Sequence, residues 1–511
     1  MTTQTADVST VVSEAGIADA LPDIGRYINK QRWSGAQDSD VRDVAVHDAA
    51  VLLQGDPTII FSVTRVTYED GRVRDYVLPL GVRRSGDPLA ERAPTFMIGS
   101  LADESGGRFL YDALGDPAYV HYLWQAILEQ RDVRTARATL RCQSDDPSAL
   151  ETSDEPWVRV LTVEQSNTSI EVGERTFLKH MRRIEPGPSQ ELEVPKALTA
   201  AGFKHVAPIL ADVVYQPDSG EEAPLVLVQP YLRNSSDGWA LALTSLRDLY
   251  ADAEEALATG NRDVDEVVRG QGGAFEGESQ RLGNVIGEMH LALAAAEVPG
   301  LRPAPVTAAV LNEWADAMSA NLEQLLEQSS DVLEPLRARR TAILAEFDAL
   351  RELEPAGLRI RVHGDLHLGQ TLRIDSGWIL LDFEGEPNRT PAERRALTSP
   401  LRDVAGMLRS FDYAAAVALT DRVMPDSADW EGMMAFGDAW AAANRRAFWN
   451  AYVVTVAESE LLPAARAAHV IRRAFELQKA VYEVGYELGH RPSWVSIPLR
   501  FLCGSGDEPA D

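Results

Sequence analysis

The chain has 511 residues and a formal charge of −29, with 49 Lys and Arg against 78 Asp and Glu. That length allows two or three packing units around a sizeable core, while so acidic a balance excludes a protein that works by neutralising a nucleic-acid backbone, which needs clustered Lys and Arg. Only Cys142 and Cys503 occur, without metal-ligand spacing, and neither a leader-like start nor a bilayer-length apolar run is present, so the chain reads as a cytoplasmic protein with no disulfide framework, Cys-type zinc site or membrane partner.

In chain order, a short helix is expected at 24–33, followed by strand-like alternation at 41–46, 58–66 and 73–81, with turn signals at 69–71 and 85–88. These elements make residues 1–92 a β-rich N-terminal cap. Residues 93–231 read as a helix at 117–131 and β-rich runs at 157–164, 169–172 and 176–180, the pattern of a nucleotide-binding intermediate segment. Residues 232–511 turn helical, with 3.6-residue apolar spacing at 241–257, 280–295, 306–327, 333–353 and 464–488. A β interlude at 358–383 interrupts these helices, and the acidic, glycine-bearing stretch 259–277 reads as a loop or mobile segment.

The interlude carries the chemistry. It contains His363-Gly-Asp-Leu-His-Leu-Gly-Gln370, followed by an apolar strand that ends in Asp382-Phe-Glu. Phosphoryl transfer needs an acceptor for the hydroxyl proton, oxygen ligands for a divalent cation, and rigid placement of both. In protein kinases the catalytic-loop Asp is followed five positions later by a metal-binding amide, and a second metal-binding Asp arrives on the next hairpin. Asp365 fits the first role, and Gln370 and Asp382 fit the others. An amide and a carboxylate suit Mg2+, which takes its remaining contacts from water and phosphates. His363 and His367 lie in a glycine-containing loop without the helix a zinc protease requires, so His363 is expected to hydrogen-bond locally and hold the loop.

The His363–Gln370 and Asp382-Phe-Glu-Gly-Glu-Pro387 motifs combine with Ser399-Pro-Leu-Arg-Asp-Val-Ala-Gly-Met-Leu-Arg409 and His490-Arg-Pro-Ser-Trp494. Together they resemble the actinobacterial maltokinases, relatives of the aminoglycoside phosphotransferases within the protein-kinase-like superfamily. The likeness extends through 164–169, Arg182-Arg183, Asn234-Ser-Ser-Asp-Gly-Trp239 and 112–116. One departure is Ser34-Gly-Ala-Gln37 after Trp33, where the family usually continues Phe-Gly-Gly-Lys. The resemblance implies an α+β, bilobal protein-kinase-like fold with a β-rich cap and a mostly helical C-lobe. It also implies ATP and Mg2+ as cofactors and phosphorylation of maltose at its anomeric hydroxyl for α-glucan synthesis. Glucosamine or another aminosugar is the alternative acceptor, a trehalose synthase-type enzyme is an implied partner, and an inactive scaffold is the distant third reading.

Nucleotide contacts are expected from Ser166, Asn167 and Thr168 over the phosphates, and from Lys179 at the end of an apolar β-run. Glu193 is the expected ion-pair partner of Lys179, with Glu191 as its rival. The backbone at Gln229 and Tyr231 forms the expected adenine hinge. For the sugar, Lys479, Tyr482, Glu483 and Tyr486 share one helix face, Trp494 follows closely, and Glu386 lies just after the metal-binding Asp; as a bare pattern this stripe serves equally as core. Asp403 is expected to cap its helix or brace the catalytic loop.

Overall fold

Alternation in the first ninety residues builds a sheet that is covered on both faces. In the computed structural model β1 (Val41–Leu53), β2 (Thr58–Tyr68), β3 (Val73–Val77), β4 (Leu80–Arg84), β5 (Met97–Leu101) and β6 (Arg108–Asp112) pair antiparallel. Their order is β1-β2-β4-β6-β5, with β3 also on β2. Successive side chains of a strand point to opposite faces. On β2, Ile60, Val66 and Tyr68 therefore pack with Ile24, Tyr27 and Ile28 of the Leu21–Lys30 helix, while Ile59, Phe61 and Val63 pack with Val120, Trp124 and Ile127 of the Pro117–Leu128 helix. Because β4 pairs with β6, this cap sheet runs past Arg92 to Asp112.

The structure describes residues 7–504 apart from 15, 35–38, 102–106, 145–146, 151–152, 154–155, 162–166, 261–262, 272 and 387–388. The chain divides into two units, Met1–Glu193 with Pro208–Leu232, and Val194–Ala207 with Arg233–Asp511. The first unit holds the cap and a second antiparallel sheet of β7 (Val133–Arg134), β8 (Ala138–Ser144), β9 (Val158–Leu161), β10 (Asn167–Val172), β11 (Thr176–Met181), β12 (Ala211–Pro217) and β13 (Ala223–Pro230). Its order is β7-β8-β12-β13-β11-β10-β9.

Two buried polar residues tie these sheets together. Fully buried Asp48 on β1 accepts from Thr135 Oγ1 at 2.5 Å, Arg137 N at 2.9 Å and Tyr215 Oη at 3.0 Å. Arg182 donates to Asp112 at 2.6 Å and to Thr168 Oγ1 at 2.7 Å, and its guanidinium lies 4.9 Å from the Trp33 ring centroid. Buried charges persist where partners satisfy them, and both residues meet that condition.

The second unit is helical around one large core. The expected helices occur as Gly238–Thr259, Gly273–Ala294, Ala308–Leu326, Glu334–Asp348 and Ala465–His490. The stretch 259–277, expected as a loop, instead forms the Val264–Gln271 helix and the start of the next. Val268 and Phe275 are its anchors, each buried in the core, so a few apolar residues outweigh an acidic, glycine-bearing composition. Trp430–Val456, absent from the sequence-level elements, packs so closely on Gly273–Ala294 that a Cβ on Gly283 would stand 2.3 Å from Phe448 O. The interlude folds as a hairpin of Thr371–Ile374 and Gly377–Leu380, edged by Val206 through a bridge to Leu380.

Candidate active site

The catalytic loop is held from below. Ile360 and Thr398 exchange backbone hydrogen bonds at 2.9 Å each, which starts the loop at a fixed register. Asp403, in the first turn of the Leu401–Thr420 helix, accepts from His363 N at 2.8 Å and Gly364 N at 2.9 Å. His290 Nε2 lies 3.1 Å from the same carboxylate, and its Nδ1 lies 3.0 Å from Tyr452 Oη. Burial raises the Asp403 pKa, but the bonds from His290 and the loop outweigh it and hold the group below the ordinary carboxylate value. A Cβ on Gly406 would come within 2.5 Å of Leu366 O, so this glycine lets the helix press against the loop.

Backbone stitching also brings the second acidic segment alongside. His363 Nε2 contacts Leu381 O at 2.6 Å and Leu381 N donates to Gln370 O at 2.9 Å. Asp382 therefore arrives beside Gln370, whose Nε2 reaches Asp382 Oδ2 at 3.4 Å. Asp382 has φ of +58°, a left-handed conformation that a non-glycine residue adopts at a cost and that clusters at functional sites. His367 feels both acidic side chains. Burial lowers its pKa, and its Nδ1 accepts from Gly369 N at 3.1 Å, so it is a neutral brace within the loop.

Asp365 is not a free carboxylate. Its Oδ1 accepts from Lys479 Nζ at 3.0 Å, and Lys479 also donates to Glu386 Oε1 at 2.8 Å. The opposite oxygen of Glu386 takes Arg389 Nε at 2.6 Å and Arg402 Nη2 at 2.8 Å. Burial alone would push Glu386 up; Lys479, Arg402 and Arg389 pull it far below the usual carboxylate range. Burial likewise opposes the Lys479 charge, and Asp365 and Glu386 overcome it, so the ammonium stays protonated. Glu386, expected at the sugar, is 3 % exposed with both oxygens engaged; it holds Lys479 on Asp365 instead. Among the described residues nothing hydrogen-bonds Asp365 Oδ2.

The aromatic helix face is present, with one exchange of roles. Tyr482 and Tyr486 stack at 6.2 Å, and the Tyr482 ring lies 4.9 Å from Lys479 Nζ. Burial pushes the Tyr482 hydroxyl up to about 12, leaving it a proton donor. Trp494 stands 6.4 Å from Tyr413 and 4.2 Å from the Arg491 guanidinium. Glu483, expected at the sugar, accepts from Arg409 Nε at 3.1 Å and Nη2 at 2.9 Å. Burial raises the Glu483 pKa. One helix position from a polar cavity is enough to turn a carboxylate inward toward a buried cation.

In the first unit, Ser169 stands opposite Lys179 and Thr168 opposite His180 in the β10–β11 register. Lys179 forms its ion pair with Glu191, whereas Glu193 was the expected partner. Two residues along a helix turn a side chain by about 200°; Glu191 faces β11 and is buried, and Glu193 is half-buried. Asn167 and Thr168 begin β10, while Ser166 lies outside the described residues. Gln229 pairs with Phe177, but Tyr231 N donates to Arg175 O at 2.7 Å, so that N–H is not available to a base as the hinge reading required.

Residues 27–116 match the maltokinase N-terminal cap domain family. A glucosamine kinase of Mycolicibacterium smegmatis is 31% identical over 356 residues, covering 68% of this chain and 80% of its own. The chain belongs to the maltokinase-like sugar kinases. A glucosamine kinase of Streptacidiphilus jiangxiensis is also 31% identical, over 66% of this chain and 71% of its own. A solved glucosamine kinase in complex with glucosamine, ADP and inorganic phosphate superposes with a TM-score of 0.63 at 23% identity, covering 98% of this chain and 99% of that one, which confirms the α+β kinase-like fold. No helix among the described residues is long and apolar enough to cross a membrane.

Two cavities meet at Asp365 and Lys479 in this sugar kinase. One, of about 390 Å³, is lined by Trp239, Tyr413, Trp494 and the engaged carboxylates Glu483 and Glu487. The other, of about 410 Å³, lies toward the Ala308–Leu326 helix. Asp365, Gly406, Lys479, Tyr482 and Tyr486 line both. Tyr413 and Glu487 were not legible as site residues, because each looks like an ordinary helical position. Trp239 had a signal in the Asn234–Trp239 motif: Asp237 caps its helix through Ala240 N at 2.9 Å and sets the indole in place.

Proposed function

We propose that this sugar kinase transfers the γ-phosphoryl group of ATP to the anomeric hydroxyl of maltose, giving maltose 1-phosphate. The observation that carries the reading is Asp365 in the wall of an aromatic-lined cavity, one oxygen committed to Lys479 and the other open. In the proposed reaction Lys479 orients the carboxylate, Oδ2 accepts the sugar hydroxyl proton, and the activated oxygen attacks phosphorus while the bond to ADP breaks. Gln370 and Asp382 fit a Mg2+ ion, because both offer oxygen and lie within contact of each other. When bound, the ion would neutralise phosphate charge. Lys179, held by Glu191, would meet the α- and β-phosphates, with Asn167 and Thr168 nearby on the adjoining strand.

The relatives named as glucosamine kinases support an aminosugar acceptor as a second reading. An ammonium group wants an unpaired carboxylate, and the carboxylates in both cavity walls are already engaged. Glu386 pairs with Lys479, Arg389 and Arg402, Glu483 with Arg409, and Glu487 with Arg491, while Glu393 closes a capping box with Thr390. Aromatic rings with neutral donors suit an uncharged sugar better. A maltose donor of the trehalose-isomerising type would supply that substrate.

The test is ATP consumption by the purified chain with Mg2+ and a panel of maltose, glucose, glucosamine and an aminoglycoside, ranked by kcat/KM. Maltose should lead. A glucosamine preference would replace the acceptor, and no sugar-stimulated turnover would remove the activity.

A further inference from the structure

The cavity toward the Ala308–Leu326 helix has a chemistry the aromatic one lacks. Its charged side chains are satisfied within the protein: Arg389 and Arg402 hold Glu386, and Glu393 caps Thr390. The groups left open are primary amides. Asn321, Gln324 and Gln328 line it at a spacing of three and four residues, hence from one face, and Gln478 faces them from the Ala465–His490 helix. Among the described residues their side-chain amides make no hydrogen bond to the protein. An amide presents both donors and acceptors, as a sugar hydroxyl does, and carries no charge.

The space between these helices is kept open by a missing side chain. Gly485 lines the cavity, and a Cβ built on it meets nothing closer than Leu325 Cδ1 at 3.7 Å. This glycine has no left-handed backbone to explain it. The rings of Tyr482 and Tyr486 border the same space, and the volume of about 410 Å³ lies within the roughly 300–1,000 Å³ of small-molecule clefts. The cavity reaches Asp365, so whatever fills it adjoins the reacting hydroxyl.

We propose that the Gln324–Gln478–Gly485 cavity is the subsite for the second ring of the acceptor, so that the enzyme selects a neutral sugar of at least two linked rings over a monosaccharide. This rests on the sugar-kinase reading above and names the specificity-determining residues of that site. The ring to be phosphorylated lies against the wall the two cavities share, at Lys479 and Tyr482, and the amides hold the ring beyond it.

The experiment compares the full-length chain with Gly485→Leu and with the double variant Gln324→Ala/Gln328→Ala. Gln324 and Gln328 are exposed on the helix surface or just past its end, so the double variant folds even where a leucine at 485 disturbs packing. Maltose and maltotriose binding is read by calorimetry without nucleotide, and kcat and KM for maltose and glucose are read with ATP and Mg2+. The expected result is a rise of about tenfold or more in maltose Kd and KM in both variants, with kcat and the glucose kinetics near wild type. Each lost sugar hydrogen bond supports a factor of that order. Unchanged maltose binding and KM in the double variant overturns the subsite while leaving the kinase reading in place. Absence of turnover with every sugar removes the kinase reading, and the calorimetric comparison still decides the subsite: weaker disaccharide binding in the variants supports it, and no disaccharide binding by the wild-type chain overturns it.

Discussion

Two sets of acidic residues in this molecule look alike in sequence and differ in how completely they are used. In the seam between the sheets of the first unit, Asp48 accepts from Thr135, Arg137 and Tyr215 and is fully buried. In the interlude of the second unit, Asp365 has one oxygen on Lys479, while Asp382 sits in a left-handed conformation near Gln370. Complete satisfaction marks a group that stabilises the fold, because stripping its partners would leave uncompensated charge and unpaired donors. Incomplete satisfaction, together with backbone strain and a cavity, marks a group kept for something absent from the resting chain.

Breaking that comparison has its largest effect at Asp365. Asp365→Asn should lower kcat by roughly 10²- to 10⁴-fold, because proton acceptance is lost, while the thermal midpoint stays near wild type; a variant with near-normal turnover would remove Asp365 from the reaction. Asp48→Ala should do the opposite. It leaves the Thr135 and Tyr215 hydroxyls and two backbone N–H groups without their acceptor, at about 1–3 kcal/mol for each buried group that finds no substitute. Urea unfolding should show the loss, with kcat per folded molecule unchanged.

Gln370→Ala sharpens the metal side of the contrast. The Mg2+ needed for half-maximal rate should rise roughly 10- to 100-fold, the scale seen when groups around a bound metal are altered, with little change in stability. An unchanged Mg2+ requirement would exclude Gln370 as a ligand. The smallest effect is on acid stability. The Glu386 pKa is depressed in the fold, so between its folded pKa and the unfolded value of about 4.3 the unfolded chain binds more protons. Its contribution is present above that unfolded value and falls away as pH drops toward the folded one. Glu386→Gln should therefore flatten the decline of stability below about pH 4 while lowering stability at neutral pH.

Much of the site was legible because its motifs are local. His363-Gly-Asp, Gln370 and Asp382 lie within twenty residues of one another, and backbone bonds among Gln370, Leu381 and His363 close that short stretch on itself. Asp403 was legible as a brace from its place at a helix start. Glu191 and Glu193 were not separable, since the choice turns on helix phase against β11, and the phase is set by packing. Glu386 and Glu483 were read as sugar ligands because each neighbours a polar motif, and only the fold supplied Lys479 and Arg409 as their partners. The helix Val264–Gln271 was hidden by composition, since two buried side chains further along outweigh an acidic surface.

The amino-acid order alone determined the reaction class, the identity of the metal-type ligands and the β-cap followed by helices, because period-2 and period-3.6 patterning and motif spacing are properties of neighbouring residues. The tertiary structure alone decided which carboxylates are satisfied, and that two cavities meet at Asp365, one walled by Trp239 and Tyr413 and the other by the amides facing Gly485. Those outcomes depend on side chains separated by as many as 174 positions, as Trp239 and Tyr413 are in sequence. Local preference carries no information about such pairings, and only burial of a common core brings them within contact distance.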